Sequence, residues 1–196
     1  MITNFKQFVN ENLLVPLNIE GRKEKLKHIN IKLLSQEMID GDLDLDESFM
    51  DIDPKFVKLK KVNGNVLLAG GKWDEIPEWI KKVEIEGDFS CGYNRLTTLK
   101  NCPQNIGESF YCYDNLLISL EGCSENVAHV FNCSDNQLSS LEGCPKHIEG
   151  FFSCDYNKLT SLEGCPEFVG DNFYCNNNKI KLKLPENVKL KGMFIN

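Results

Sequence analysis

The chain has 196 residues, with 22 basic and 29 acidic side chains, a formal net charge of −7 and 41% apolar residues. That balance excludes intrinsic disorder, no apolar run reaches the ~18 residues of a membrane span, and an acidic chain without a basic cluster argues against a nucleic-acid partner. The length suits one domain or a repeat array of modest size.

Residues 2–14 place Ile2, Phe5, Phe8, Val9 and Leu13 on one side of a helix, with Asn4 positioned as its N-cap. Lys6, Asn10 and Glu11 interrupt the stretch and no small-residue cleavage site follows, so it does not read as a secretory signal. Residues 22–39, with Leu26, Ile29, Ile31, Leu33, Leu34 and Met38, read as a second helix or an irregular first coil. Residues 1–39 are therefore expected to form an N-terminal helical cap. The opening run M-I-T-N-F-K-Q-F-V-N-E resembles the short leading segment of many tailed-phage proteins. Some of those segments are capsid-targeting tags cut after a hydrophobic-x-Glu triplet, which Val9, Asn10 and Glu11 match. The resemblance implies a bacteriophage origin.

The rest of the chain, residues 40–196, repeats itself. Cys91, Cys112, Cys133, Cys154 and Cys175 are spaced by 21 residues each time. Two residues before each stands a Phe (89, 110, 131, 152, 173), and three after each stands an Asn (94, 115, 136, 157, 178). Aliphatic columns follow at Leu96, Leu117, Leu138, Leu159 and Ile180, and at Leu99, Leu120, Leu141 and Leu162. A second Cys column runs through Cys102, Cys123, Cys144 and Cys165, followed by Pro in three of the four. Each unit opens on a branched aliphatic: Ile85 or Val83, then Ile106, Val127, Ile148 and Val169. Upstream the phase changes. Leu43, Asp44, Leu45 sit 23 residues before Val66, Leu67, Leu68, which sit 23 before Phe89, Ser90, Cys91. Degenerate coils are thus expected over 40–82, regular coils over 83–182 and a C-terminal cap over 183–196, in which residues 188–194 begin one more coil.

A 21-residue unit cannot bury its own apolar face, so neighbouring units must cover one another. Phe and Cys alternate with polar residues, which predicts one short strand per unit with one face inward. The expected architecture is an all-β-leaning repeat solenoid with a parallel sheet of about seven short strands. Turns or short 3₁₀ segments are expected on its convex side. The Asn column is expected at a tight bend, where its side chain satisfies backbone groups of its own and adjacent coils.

Nine cysteines would signal zinc or disulfides in another sequence. Here they fall in repeat columns, no CxxC pair exists, and His28, His129 and His147 lie at unrelated phases. In-register Cβ vectors of stacked strands suit a disulfide poorly. The expected role is as small buried side chains, with no metal and no cofactor, in a reducing cytoplasm. Cysteine catalysis needs an activating base, and none of these thiols is singled out from its column.

The unit resembles a leucine-rich repeat, and in particular the short Cys-bearing repeats N-x-L-T-S-L-E-G-C-P of bacterial and bacteriophage proteins. Asn157-Lys158-Leu159-Thr160-Ser161-Leu162-Glu163-Gly164-Cys165-Pro166 is the closest copy. The resemblance covers about residues 40–196 and departs in using Phe and Cys where Leu is usual. It implies a leucine-rich-repeat fold and an interaction scaffold rather than an enzyme.

The strand positions expected to face outward hold all five tyrosines of the chain and no Lys or Arg. Tyr offers contact area with a polar tip at low entropic cost. Tyr93, Tyr111, Tyr113, Tyr156 and Tyr174, with Asp114, Asp135 and Asp155, are therefore the candidate partner-binding residues. Residues 83–178 carry fourteen acidic and four basic side chains. Such a face steers a basic protein surface and repels nucleic acid. Five lysines in the last eighteen residues read as a solvated cap that discourages edge pairing. The function expected is a non-enzymatic, phage-encoded protein–protein interaction module in the host cytoplasm, with no membrane partner. The alternatives are a structural virion component, which cleavage after Glu11 would mark, and a carbohydrate-binding solenoid. A glycosidase would need paired carboxylates about 5 to 10 Å apart, for which Asp114 and Asp135 are the nearest pair in sequence phase.

Overall fold

The computed structural model describes residues 19–68, 72–125 and 127–196. The helix expected at 2–14 and the triplet ending at Glu11 lie outside the described residues. Over 22–39 the structure takes the helical option only in part: α1 runs Ile19–Leu34, and Met38 lies in the first strand, where it pairs with the coil that follows. The last turn of α1 closes on its own side chains. Ser35 Oγ donates to the Lys32 carbonyl at 2.8 Å and Gln36 Nε2 to that of Leu33 at 3.3 Å, serving carbonyls that a helix end otherwise leaves open. Leu33 and Leu34 join the buried core of the first coil, and the Leu34 carbonyl accepts the backbone N–H groups of Lys58 and Leu59. The helix thereby covers apolar surface that a first coil would leave open.

The remainder winds as a parallel solenoid. One ladder runs through β1 (Met38–Ile39), β3 (Lys61–Val62), β5 (Glu84–Ile85) and β7 (Asn105–Ile106), then through single bridges at Val127, and on through β10 (His147–Ile148), β12 (Phe168–Val169) and β14 (Lys189–Leu190). A second sheet of eight strands contains β2 (Leu43–Leu45), β4 (Val66–Leu68), β6 (Phe89–Ser90), β8 (Phe110–Tyr111), β9 (Phe131–Asn132), β11 (Phe152–Ser153), β13 (Phe173–Tyr174) and β15 (Phe194–Ile195). Every pair is parallel and joins equivalent repeat positions, such as Phe110 with Phe131 and Phe152 with Phe173.

The repeat solenoid is as expected, and two details differ. The branched aliphatics that open each unit line a ladder of their own, so most units carry two strands rather than one. The unfinished coil also pairs, adding Phe194–Ile195 to the sheet. Short 3₁₀ helices stand at Glu47–Phe49, Pro54–Phe56 and Glu78–Lys82, all in the degenerate coils. The two extra residues of the second coil are absorbed at the last of these. Trp79 stands six residues before Ile85, where Cys102 stands four before Ile106.

The core is a set of stacked columns. The five Phe and the five Cys of the strand are fully buried, as are Leu96, Leu117, Leu138 and Leu159. Successive Phe rings lie 4.8 to 5.7 Å apart from Phe89 to Phe173. Such aromatic contacts add roughly 0.5–1.5 kcal/mol per pair beyond burial. The corner between the ladders is tight. A Cβ at Gly170 would lie 2.0 Å from the Glu149 carbonyl oxygen of the preceding coil, closer than any side chain tolerates.

The Asn column does what its position predicts. Asn136 Oδ1 accepts the Leu117 N–H at 3.0 Å, and its Nδ2 donates to the carbonyls of Cys112, Cys133 and Ser134 at 3.0 to 3.2 Å. Asn115 and Asn157 repeat this pattern on the equivalent groups. Each buried amide therefore ties its own bend to the coil before it, leaving those backbone groups satisfied.

Candidate interaction face

The eight-stranded sheet turns Phe and Cys inward, so the residue between them points out. Across the sheet this row reads Asp44, Leu67, Ser90, Tyr111, Asn132, Ser153, Tyr174. A second outward row follows the Cys: Gly92, Tyr113, Ser134, Asp155, Asn176.

Three tyrosines come together here. The Tyr113 and Tyr93 rings meet edge to face with centroids 5.0 Å apart, and Tyr111 meets Tyr113 at 6.4 Å, also edge to face. Tyr113 lies over Gly92 of the preceding coil, where an added Cβ would sit 3.1 Å from the ring carbon Cζ. Gly92 thus makes room for the ring in a row that elsewhere carries side chains. Partial burial pushes the Tyr113 hydroxyl above the usual phenol range, with its tyrosine neighbours and Asp114 adding to the effect. Beside this cluster lies an open groove of about 520 Å³, lined by Leu67, Ser90, Tyr111, Tyr113 and Asn132 together with Asp42, Asp44 and Asp88.

The remaining candidates are placed elsewhere. Tyr174 packs edge to face on Phe151 at 5.9 Å, and its hydroxyl accepts from Asn172 Nδ2 at 3.0 Å. Tyr93, Asp114, Asp135 and Tyr156 belong to the corner, not the sheet. Their φ angles are 51 to 54°, in the left-handed region. Asp and Asn adopt that region at low cost, which accounts for Asp114, Asp135 and Asn177 in this column. For Tyr93 and Tyr156 the same backbone is strained, and both rings are exposed. Asp155 is turned to its own structure: its Oδ1 accepts from the Asn176 backbone N–H and side-chain Nδ2. Burial, then Asp114 and Asp155, hold the Asp135 carboxyl above the usual carboxylate range. Asp114 and Asp135 stand on this corner and do not line the groove.

Asp88 holds the outward position just before Phe89, and Asp42 and Asn65, which the regular columns do not reach, extend that position into the degenerate coils. Asp42, Asn65 and Asp88 cap the start of the next coil's strand. Asp42 Oδ1 accepts the Asn65 N–H at 2.8 Å, Asn65 Oδ1 that of Asp88 at 2.7 Å, and Asp88 Oδ1 that of Ser109 at 2.8 Å. Val130 and Phe151 interrupt this column, and Asn172 resumes it by accepting the Met193 N–H at 2.9 Å. Asp44 and Leu67 lie in the degenerate coils, and the 23-residue shift is the signal that puts them in one row with Ser90.

The nine cysteines are buried and free of disulfides. Burial raises every thiol, Cys102 and Cys175 to about 12. Thiols that stay protonated are inert as nucleophiles and as metal ligands. Among the described residues no group of three or more His, Cys, Asp or Glu is arranged to hold a metal ion. No helix among them is long and apolar enough to cross a membrane. No protein-family model, curated protein or solved structure matches the chain.

Proposed function

We propose that the chain is a non-enzymatic protein–protein interaction module of the leucine-rich-repeat class, binding its partner through the outward face of the eight-stranded sheet. The observation that carries this reading is the Tyr93, Tyr111, Tyr113 cluster seated over Gly92 beside an open groove. Packing alone would be met by uniform filling of the outward rows, as it is by the uniform Phe and Cys columns inside. Aromatic anchors next to a depression are what protein recognition uses. The protonated, buried thiols and the corner carboxylates supply neither an activated nucleophile nor an enclosed acid–base pair, which supports a binding role over catalysis. The leading segment and the N-x-L-T-S-L-E-G-C-P units support a phage-encoded protein, and nine free thiols support the host cytoplasm as its place of action.

The test is affinity capture from host lysate by the wild-type chain and by a Tyr111→Ala, Tyr113→Ala, Tyr156→Ala variant with an unchanged circular dichroism spectrum. The reading expects one protein held by the wild type and lost from the variant. Equal capture by both would remove the outward face from the proposal.

A further inference from the structure

We propose that the groove at the N-terminal end of the outward face holds a basic, extended segment of the partner protein, with an Arg or Lys over the aspartates and an apolar side chain against the tyrosines. This deepens the proposed function and rests on it.

Charge complementarity selects the occupant. Asp42, Asp44 and Asp88 border the groove, and among the described residues no basic side chain lines it. Asp42 and Asp88 each commit one carboxylate oxygen to a backbone N–H and keep the other. The Asp44 carboxylate makes no hydrogen bond or ion pair with the described residues. A row of carboxylates on a low-dielectric sheet raises the local concentration of cations and favours charge-assisted hydrogen bonds. It repels phosphates and anionic lipid headgroups alike. Leu67 is 38% exposed on the floor between the acids and the rings, so the site also gains from covering apolar surface. The Tyr111 ring, which also lines the groove, suits an aliphatic or aromatic side chain.

Register gives the spacing. Asp44 and Tyr111 lie in one row three strands apart, which is roughly 14 Å at the spacing of strands in a sheet. An extended peptide covers that in about four residues. The occupant therefore carries a basic residue and, about four positions away, a Leu or an aromatic.

A random peptide display library selected on the wild-type chain tests this. The discriminating variant is Asp42→Asn, Asp44→Asn, Asp88→Asn. It removes three charges and keeps the backbone caps, since Asn65 and Asn172 already serve the same positions. The expected peptides are basic, carry the apolar residue at that spacing, weaken as salt rises and lose at least about tenfold in affinity on the Asn variant. Peptides that bind both proteins equally but are lost on Tyr111→Ala, Tyr113→Ala would overturn the basic occupant and leave the outward face standing. Peptides indifferent to both variants would overturn both readings. Failure to select any peptide would overturn the inference. So would self-association of the wild type that the Asn variant abolishes, because the Lys-rich residues 179–191 of a second copy would then be the occupant.

Discussion

The regular coils and the first coil carry the same two ladders but close their bends by different means. From Asn94 onward each bend is held by a buried amide that bonds its own coil and the one before it. In the first coil the position 46 residues before Asn94 is Ser48, whose N–H and hydroxyl both donate to Asp46 Oδ1 and whose hydroxyl accepts from Asn30 of α1. Phe49, Trp73 and Trp79 are buried in the two degenerate coils, the two tryptophans in the columns that Leu96 and Cys102 continue. Asn94 makes the same bonds across the 23-residue coil before it, to the Leu68 carbonyl and from the Trp73 N–H, so the two extra residues fall outside its reach, between Trp79 and Ile85. The groove straddles the junction of degenerate and regular coils, taking Asp44 and Leu67 from the former and Tyr111 and Tyr113 from the latter.

The comparison breaks most sharply at the Asn column. Asn136→Ala strips partners from one buried N–H and three carbonyls, and is expected to cost about 3 kcal/mol or more in urea denaturation. A loss under about 1 kcal/mol would mean that the amides decorate the bends rather than hold them. In the first coils the expected cost is much smaller. Trp79 Nε1 is buried without a partner among the described residues, so Trp79→Phe gives up packing but relieves an unpaired donor. Its net effect should stay within about 1 kcal/mol. The smallest change has the opposite sign. Tyr93→Asn relaxes a left-handed backbone and should raise stability by about 0.5–1 kcal/mol, while removing one ring of the aromatic cluster. A chain stabilised by that change and weakened in partner binding would show that Tyr93 is kept for contact.

The Phe, Cys and Asn columns were legible because every regular coil fills the same mould with the same side chain. The first ladder was not. Its strands are two residues long with one buried position, as in Asn105–Ile106, too short for a period of two to register. The left-handed corner was hidden because Tyr, Asp and Asn share it, and only the last two advertise that backbone. Of the eight candidate residues, Tyr93, Tyr111 and Tyr113 form one cluster. Tyr174 turns to Phe151, and Asp155 serves the next coil's backbone. Of the acidic wall, Asp88 was legible as the outward position just before Phe89, while Asp42 and Asp44 lie in a degenerate coil whose phase of 23 keeps them out of the regular columns.

The claim on which the rest stands is that rings and thiols face inward, so that the alternating residues face out. Alkylation of the native chain with iodoacetamide near neutral pH, followed by mass spectrometry of each cysteine, tests it directly. With all nine sulfurs buried and their thiolates suppressed, no cysteine should be modified until denaturant is added, after which all nine should react. Rapid labelling of Cys112, Cys133 or Cys154 in the folded protein would contradict the account.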